Sequence, residues 1–380
     1  MAAPERRFPI LVVGATGAFG QRIAELLARG EAIELVVAGR TRDALEAKAA
    51  ALSTSSGHPV RVAVLDANVA TAADVAALGV RLVINASGPY EAGSTTLARA
   101  AIAAGCHSID LADSRAFVAG FGALDEAARA AGVLAVTGAS SVPGLSSAVV
   151  AALRGGFATV DAIDIAISPG NAFDPGVATV ASVLGGVGQP VGMLLDWQWR
   201  TVHGWQGLGR GSFGSAGRRW LGYVDVPDLD LFAREDARLG TVRFRAGLEV
   251  LPFHLGLWAA SWLVRAGLIG SLAPLAPGLL AIKRALARLG SDRGGMFVEL
   301  RGRDAEGHPK AVRWLLEAGS GHGPYVPALT SVALARRLAS GAETRRGAMA
   351  CFGLVGLDVI LAEAAGLDIK CSTHDTAHEP

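Results

Sequence analysis

Cysteine is scarce in this 380-residue chain: Cys106, Cys351 and Cys371 are the three, odd in number and widely spaced. They form no Cys-x-x-Cys pair and have no histidines at zinc-finger spacing. Neither a disulfide framework nor a structural metal is implied, and a reduced, cytoplasmic setting is expected. Charge is sparse as well, at 18% of residues, below the average for globular chains. With 35 basic and 34 acidic residues the net charge is +1, which gives no electrostatic case for nucleic acid or for an acidic membrane surface. Most of the positive charge is arginine, since lysine occurs only at 48, 283, 310 and 370. No cleavable leader pattern precedes the first apolar run. No apolar run is long enough to span a bilayer either: the stretch from Ala266 to Ile282 is broken by Pro274 and Pro277 and is slightly short. Buried or lid-forming helices are expected there, with a peripheral membrane contact as the alternative.

What the chain does have is 51% hydrophobic content, ample for a sizeable core, over a length that suggests two domains. Near its start, Gly14-Ala-Thr-Gly-Ala-Phe-Gly20 follows the apolar run Phe8 to Val13 and precedes a stretch in which Ile23, Leu26 and Leu27 share one helical face. Strand, glycine turn and helix start form the arrangement that binds a dinucleotide pyrophosphate. One glycine permits the sharp turn, a second the approach of backbone amides to phosphate, and a third close packing of helix on strand. The phosphates then meet the free amides and the positive dipole end of the helix. Gly30 stands where that helix should stop.

The next strand, Glu34 to Ala38, ends in Gly39-Arg40-Thr41-Arg42 rather than in the acid that usually holds the ribose 2′-hydroxyl of NAD. A guanidinium at Arg40 favours a 2′-phosphate, so NADP(H) is expected over NAD(H); the competing reading is an ordinary solvated arginine.

Strand and helix patterns alternate through the first 150 residues, with strands at 59–65, 81–85, 107–110 and 133–136. This predicts an α/β fold with a Rossmann-type, doubly wound parallel sheet. From about residue 157 the patterning changes: 160–167, 197–205 and 241–246 alternate as half-buried strands. A second α+β domain with a mixed sheet is expected, its helices near 177–187, 253–289 and 328–338. The expected organisation is an NADP-binding domain over 1–150, a substrate domain over 151–345, and a C-terminal segment over 346–380 that returns to the first domain.

In an open parallel sheet the ligand lies across the carboxyl ends of the strands. Asp66 there suits either the adenine amino group or the cap of the following helix. The small residues of Asn85-Ala-Ser-Gly-Pro-Tyr90 suit close passage of backbone beside ribose and nicotinamide. Asp110 and Asp113 read as capping or structural groups. Tyr90 and His322 are weak candidates for the proton donor, His322 because it lies in a glycine-rich loop ahead of a helix and histidine as a residue type suits acid–base work. Among Arg200, Arg210, Arg218 and Arg219, interleaved with tryptophans, one arginine would suffice to clamp a substrate carboxylate; the plainer reading is a solvated sheet face. Short-chain dehydrogenases carry similar glycine turns but need a tyrosine with lysine four residues on. Tyr90, Tyr223 and Tyr325 are followed at that spacing by Ser94, Pro227 and Leu329, so that pair is absent.

Gly14 to Gly20, Ala38-Gly-Arg40, Asn85 to Tyr90, Ala104 to Leu111 and Gly138 through Pro143-Gly144 together resemble the saccharopine dehydrogenase-like (saccharopine reductase) family. The likeness is good over residues 8 to about 155 and looser beyond, where Pro169-Gly-Asn171 and Leu184-Gly-Gly186 are similar to an uncharacterised bacterial branch. The resemblance implies an N-terminal NADP-binding domain, a mixed α/β substrate domain and a returning C-terminal segment. It puts Gly14, Thr16, Gly17, Gly20, Arg40, Asp66, Asn85, Ser87 and Gly88 on the cofactor side, with Phe19 in the turn and Thr41 beside Arg40 counted with them. Substrate residues do not carry over.

The leading expectation is therefore NADPH-linked hydride transfer at a C–N bond of an amino-acid-like small molecule. Reduction of C=C or C=O in an apolar, lipid-like substrate is the alternative, and a non-enzymatic NADP-binding sensor is a third. A homodimer is the base-rate expectation for assembly.

Overall fold

The computed structural model describes residues 7–90 and 94–376. The chain divides into two compact units, one formed by residues up to Leu145 together with Pro324–Ala365, the other by Ser146–Gly323 and the residues from Gly366 onward.

In the first unit, strands β1 (Phe8–Val13), β2 (Ile33–Gly39), β3 (Arg61–Val64), β4 (Leu82–Asn85), β5 (His107–Asp110) and β6 (Leu134–Thr137) alternate with helices, beginning with α1 (Gly20–Ala28) and α2 (Arg42–Ser56). The second unit holds β7 (Thr159–Ser168), β8 (Pro190–Leu195), β9 (Gln198–His203), β10 (Gly209–Ser212), β11 (Arg218–Tyr223), β12 (Thr241–Ala246), β13 (Gly294–Arg303) and β14 (Pro309–Ala318). The chain then supplies β15 (Gly347–Ala350) to the first unit and β16 (Ile369–Asp375) to the second.

The first sheet runs β15-β6-β5-β4-β1-β2-β3, and every pairing in it is parallel. Strands covered on both faces must be apolar throughout. Accordingly Ile10 to Val13, Val36 to Ala38 and Leu82 to Ile84 are fully buried. Chain order reverses at β1, which lies between β2 and β4. The crevice for a ligand is therefore at the carboxyl ends of these three strands.

The second sheet is mixed and nine-stranded, with the path β10-β11-β12-β7-β13-β14-β16 and β8 and β9 branching from β12. β12 and β7 are parallel, while β13 is antiparallel to both β7 and β14. One row across four strands is ionic: Arg243, Asp164, Glu299 and Arg313 occupy matching register positions. Asp164 accepts from Arg243 at 2.7 Å and Arg245 at 2.6 Å. Glu299 is held between Arg301 and Arg313. Carboxylates this buried persist only when paired and hydrogen-bonded.

Four expectations need correction. The helix expected at 328–338 forms as Val326–Ala339, but in the first unit, which the chain re-enters at Pro324 rather than at 346. The end of the last segment leaves that unit again, because β16 pairs with β14 in the second sheet. Trp197 is not in a strand: with Asp196 it forms the two-residue tip between β8 and β9, both residues at positive φ (59° and 51°), the turn whose twist suits a hairpin. The stretch from 266 to 282 is buried on one side only: Leu272, Ala276 and Leu280 are covered, while Leu268, Leu275 and Ile282 are exposed. β13 and β14 are ten residues each; in β13 the first seven residues, Glu299 included, are all buried, so the strand shows no alternation of polar and apolar positions.

Candidate cofactor-binding site

The turn after β1 is shaped by contacts that exclude side chains. Gly14 has φ +80°, and a Cβ there would stand 2.8 Å from the carbonyl carbon and oxygen of Ala86. The loop after β4 is pressed against this turn, with Ala86 N donating to Val13 O at 2.9 Å. A Cβ on Gly20 would be 2.1 Å from Gly14 O, so the helix starts directly over the turn. Gly17 differs: it is exposed, its N–H donates to Gly14 O at 2.9 Å, and a Cβ would meet nothing nearer than that oxygen at 3.2 Å. Its missing side chain leaves the outer side of the turn open. Thr16 beside it is exposed. Phe19 occupies the N-cap position of α1 with no side-chain cap, and the first turn carries no acid. An uncapped, acid-free helix N-terminus beside a bare turn retains the positive end of the helix dipole for an anion.

β2 delivers the next group. Gly14 N and Ala15 N both donate to Ala38 O, at 2.9 and 3.2 Å, so the end of β2 lies against the turn. Arg40 follows two residues later, exposed and without an ion pair among the described residues. Its neighbour Arg42 is engaged with Glu46 at 3.6 Å. Thr41 occupies the N-cap position of α2 in extended conformation but makes no cap bond.

Asp66, after β3, accepts from Asn68 N at 3.0 Å. It does not cap the following helix, because Thr71 does so by a reciprocal capping box with Asp74. After β4, Asn85 Oδ1 accepts from Ser87 N at 3.0 Å and Ser87 Oγ at 2.6 Å. Tyr90 O–H donates to Asn85 O at 2.7 Å. The loop through Ser87 and Gly88 is thus tied to its own strand end. Burial, with Asp110 nearby, pushes the Tyr90 phenol well above its usual range. A hydroxyl already donating to a carbonyl and resistant to ionisation is a poor mobile proton source.

Asp110 is structural. Its Oδ1 accepts from Ala112 N (3.0 Å), Thr137 Oγ1 (2.8 Å) and Gly138 N (2.9 Å), tying the ends of β5 and β6 together. Burial raises its pKa to about 6 against those three bonds. His322 belongs to the second unit, where its Nδ1 accepts from Asp368 N at 2.8 Å and anchors the approach to β16. Of the tryptophan-flanked arginines, Arg219 is buried and pairs with Glu249 at 3.2 Å. Arg200 pairs with Asp196 at 3.7 Å, and Arg210 stacks on Trp220 at 4.4 Å. Arg218 is exposed.

One set of residues escaped the sequence reading. Glu25, on α1, accepts from Lys48 Nζ of α2 at 2.5 Å and from Tyr325 O–H at 2.5 Å, with Arg22 at 3.3 Å. Burial acts upward on its carboxyl, but the hydrogen bonds from Lys48 and Tyr325 outweigh it and hold the pKa below the usual range. Arg336 also donates to Leu26 O at 2.8 Å. Helix α1 is thereby fixed from behind by a segment 300 residues away in sequence, a separation for which the sequence carries no signal.

Residues 10–136 match the family model described as the saccharopine dehydrogenase NADP binding domain. Saccharopine dehydrogenase (L-Glu forming) from Saccharomyces cerevisiae, as the apo protein, is 14% identical, with a TM-score of 0.69 over 97% of this chain and 100% of that one. GenD2 from gentamicin A biosynthesis, in complex with NAD, is 17% identical over 84% of this chain and 74% of its own, with a TM-score of 0.39. A short-chain dehydrogenase from Sphingobium yanoikuyae in complex with NADPH is 25% identical over 27% of this chain and 52% of its own, with a TM-score of 0.23. Among curated proteins there is no match.

Proposed function

We propose that this chain, which matches the saccharopine dehydrogenase NADP binding domain over residues 10–136 and shares the fold of a saccharopine dehydrogenase, is an NADPH-linked oxidoreductase acting at a C–N bond of an amino-acid-like substrate. The observation that carries the cofactor half is Arg40: an exposed guanidinium, free of ion pairs among the described residues, at the strand end where an NAD-specific site would hold an acid. The residues fit a dinucleotide. Gly14 to Gly20 supply a bare turn and an uncapped helix end for the pyrophosphate. Asp66 keeps one carboxylate oxygen in its own turn and leaves the other for the adenine amino group. Asn85, Ser87 and Gly88 form a loop whose hydrogen bonds are internal, so it keeps its shape beside the ribose and nicotinamide.

The nicotinamide ring, when bound, supplies or accepts the hydride. The choice of a C–N bond rests on what the chain's own side chains do. Tyr90 spends its proton on Asn85 O, so it is a poor mobile acid, and His322 is engaged through Nδ1 with Asp368 N in the second unit. An iminium ion already carries its proton on nitrogen, so its carbon needs positioning about 3–3.5 Å from the hydride carbon rather than an acid. The second reading, reduction of an apolar enone or ketone, is favoured by the exposed apolar helices of the second unit.

Titration with NADPH and NADH tests the cofactor assignment. Arg40→Ala is expected to weaken NADPH binding about tenfold to a hundredfold and to leave NADH nearly unchanged; equal losses for both would remove Arg40 from the site. NADPH oxidation with an amino acid plus a 2-oxo acid, set beside apolar enones, then separates the two substrate readings.

A further inference from the structure

The net charge of +1 conceals a segregation. From Val250 to Ser291 there is no acidic residue, while Arg265, Lys283, Arg284 and Arg288 are present. The segment folds as two helices, Leu251–Arg265 and Ala276–Ala285. Each turns one side to a common apolar cluster that includes Leu184, Trp205, Val264 and Ala276. A surface helix would then show polar residues outward. These do not.

On the first helix, His254, Ser261 and Val264 are buried, and the opposite side presents Leu255, Trp262 and Leu263, all exposed. Its single ionised residue, Arg265, lies at the C-terminal end, donating to Gln206 at 2.9 Å and covering Trp262 at 5.0 Å. On the second, Leu275, Leu279, Ile282 and Leu286 recur at i, i+4, i+7 and i+11, one continuous stripe that is 36–54% exposed. Leu268, in the connection between the helices, is 74% exposed. Apolar exposure so contiguous marks an interaction surface. Among the described residues no helix is long and apolar enough to cross a membrane, so the helices have the dimensions to lie along a bilayer rather than through it.

We propose that the outer faces of helices Leu251–Arg265 and Ala276–Ala285 dock on a bilayer containing anionic phospholipid, with the leucine–isoleucine stripe in the acyl boundary and the cations at the headgroups. Charge decides between occupants. A second copy would bring the same acid-free segment against itself and set cation against cation, whereas an anionic headgroup layer complements it. Arg284 is partly neutralised by Asp174 at 2.8 Å, and Lys283 is held by the carbonyls of Asn171 and Phe173. Arg288 is exposed and makes no ion pair among the described residues. The docking is independent of which substrate the first unit's cofactor serves.

Vesicle flotation of the full chain with saturating NADPH tests this, using phosphatidylcholine alone and phosphatidylcholine mixed with phosphatidylglycerol. The chain is expected to float with the mixed vesicles only, less so as salt is raised. Leu279→Ser/Ile282→Ser should lower the partition about tenfold or more, and Arg288→Glu should weaken it while the apolar stripe stays intact. Unchanged far-UV circular dichroism and thermal unfolding in both variants report that they fold. No flotation, equal flotation on neutral vesicles, or a double variant that floats like the wild type would each overturn the proposal. So would a wild-type dimer that the double variant abolishes, since that result gives the face to a second copy.

Discussion

A side chain at Gly17 and one at Gly14 fail for different reasons, and the difference separates binding from folding. At Gly17 the added atoms would stand on the exposed side of the turn, 3.2 Å from Gly14 O at the nearest, where a phosphate must approach the amides. Gly17→Val is therefore expected to abolish binding of NADPH and NADH alike while thermal unfolding stays close to that of the wild type. Retained binding would remove the turn from the site. At Gly14 the φ of +80° and the 2.8 Å approach to Ala86 put the cost in the native state itself. Gly14→Ala should destabilise by more than about 2 kcal/mol, read from urea unfolding without any cofactor present.

Helix α1 performs its role only if its N-terminus stays against β1, and the described contacts show what keeps it there. The buried side packs through Ile23, Leu26 and Leu27. The other side is tied to α2 and to helix Val326–Ala339 through Glu25, Lys48, Tyr325 and Arg336. A hydrogen bond to a charged group contributes about 1.5–3 kcal/mol, and Glu25 keeps Lys48 when Tyr325 is truncated. Tyr325→Phe should thus cost about 1–2 kcal/mol in denaturant unfolding and weaken NADPH binding only slightly. A large loss of binding at unchanged stability would mean that the tyrosine touches cofactor or substrate instead. Helix Val326–Ala339 belongs to the first unit rather than the second: its apolar periodicity is plain in the sequence, but periodicity says that a helix buries a face, not against which sheet.

For the molecule as a whole, four buried groups set opposing dependences of stability on pH. Burial raises Asp228 to about 7 and Asp110 to about 6. An acid whose folded pKa lies above its unfolded value loses its stabilising contribution as pH rises from the unfolded to the folded value. Burial lowers His107 and His254 to about 4, and their contribution is lost as pH falls from about 6.5 to about 4. Between about pH 4 and 6 the contributions of these two pairs offset one another. Asp228, fully buried, accepts from Ser146 through Oδ1, and its Oδ2 has no hydrogen-bond partner among the described residues. Asp228→Asn removes one falling slope: its stability relative to the wild type should climb by about 1.4 kcal/mol per pH unit from about pH 4 to about pH 7. Denaturant melts across that range check it, and a pH-independent difference would mean that Asp228 does not titrate there.

The strand, glycine turn and helix start at 8–28, the arginine after β2 and the run of βα units were legible because each depends on local rules: apolar runs for covered parallel strands, glycine where backbone crowds backbone, residue order along one unit. The change to a mixed second sheet was legible from alternation for the same reason. Contacts between distant residues were not. That Thr71 rather than Asp66 caps a helix, that Tyr90 and His322 are tied to backbone, that Tyr325 braces Glu25, and that β15 and β16 part to different sheets are set by which surfaces meet after folding. The apolar run near 251–289 was visible in the sequence; which of its side chains face outward was decided by which sides of its helices meet the cluster around Leu184, Trp205 and Val264.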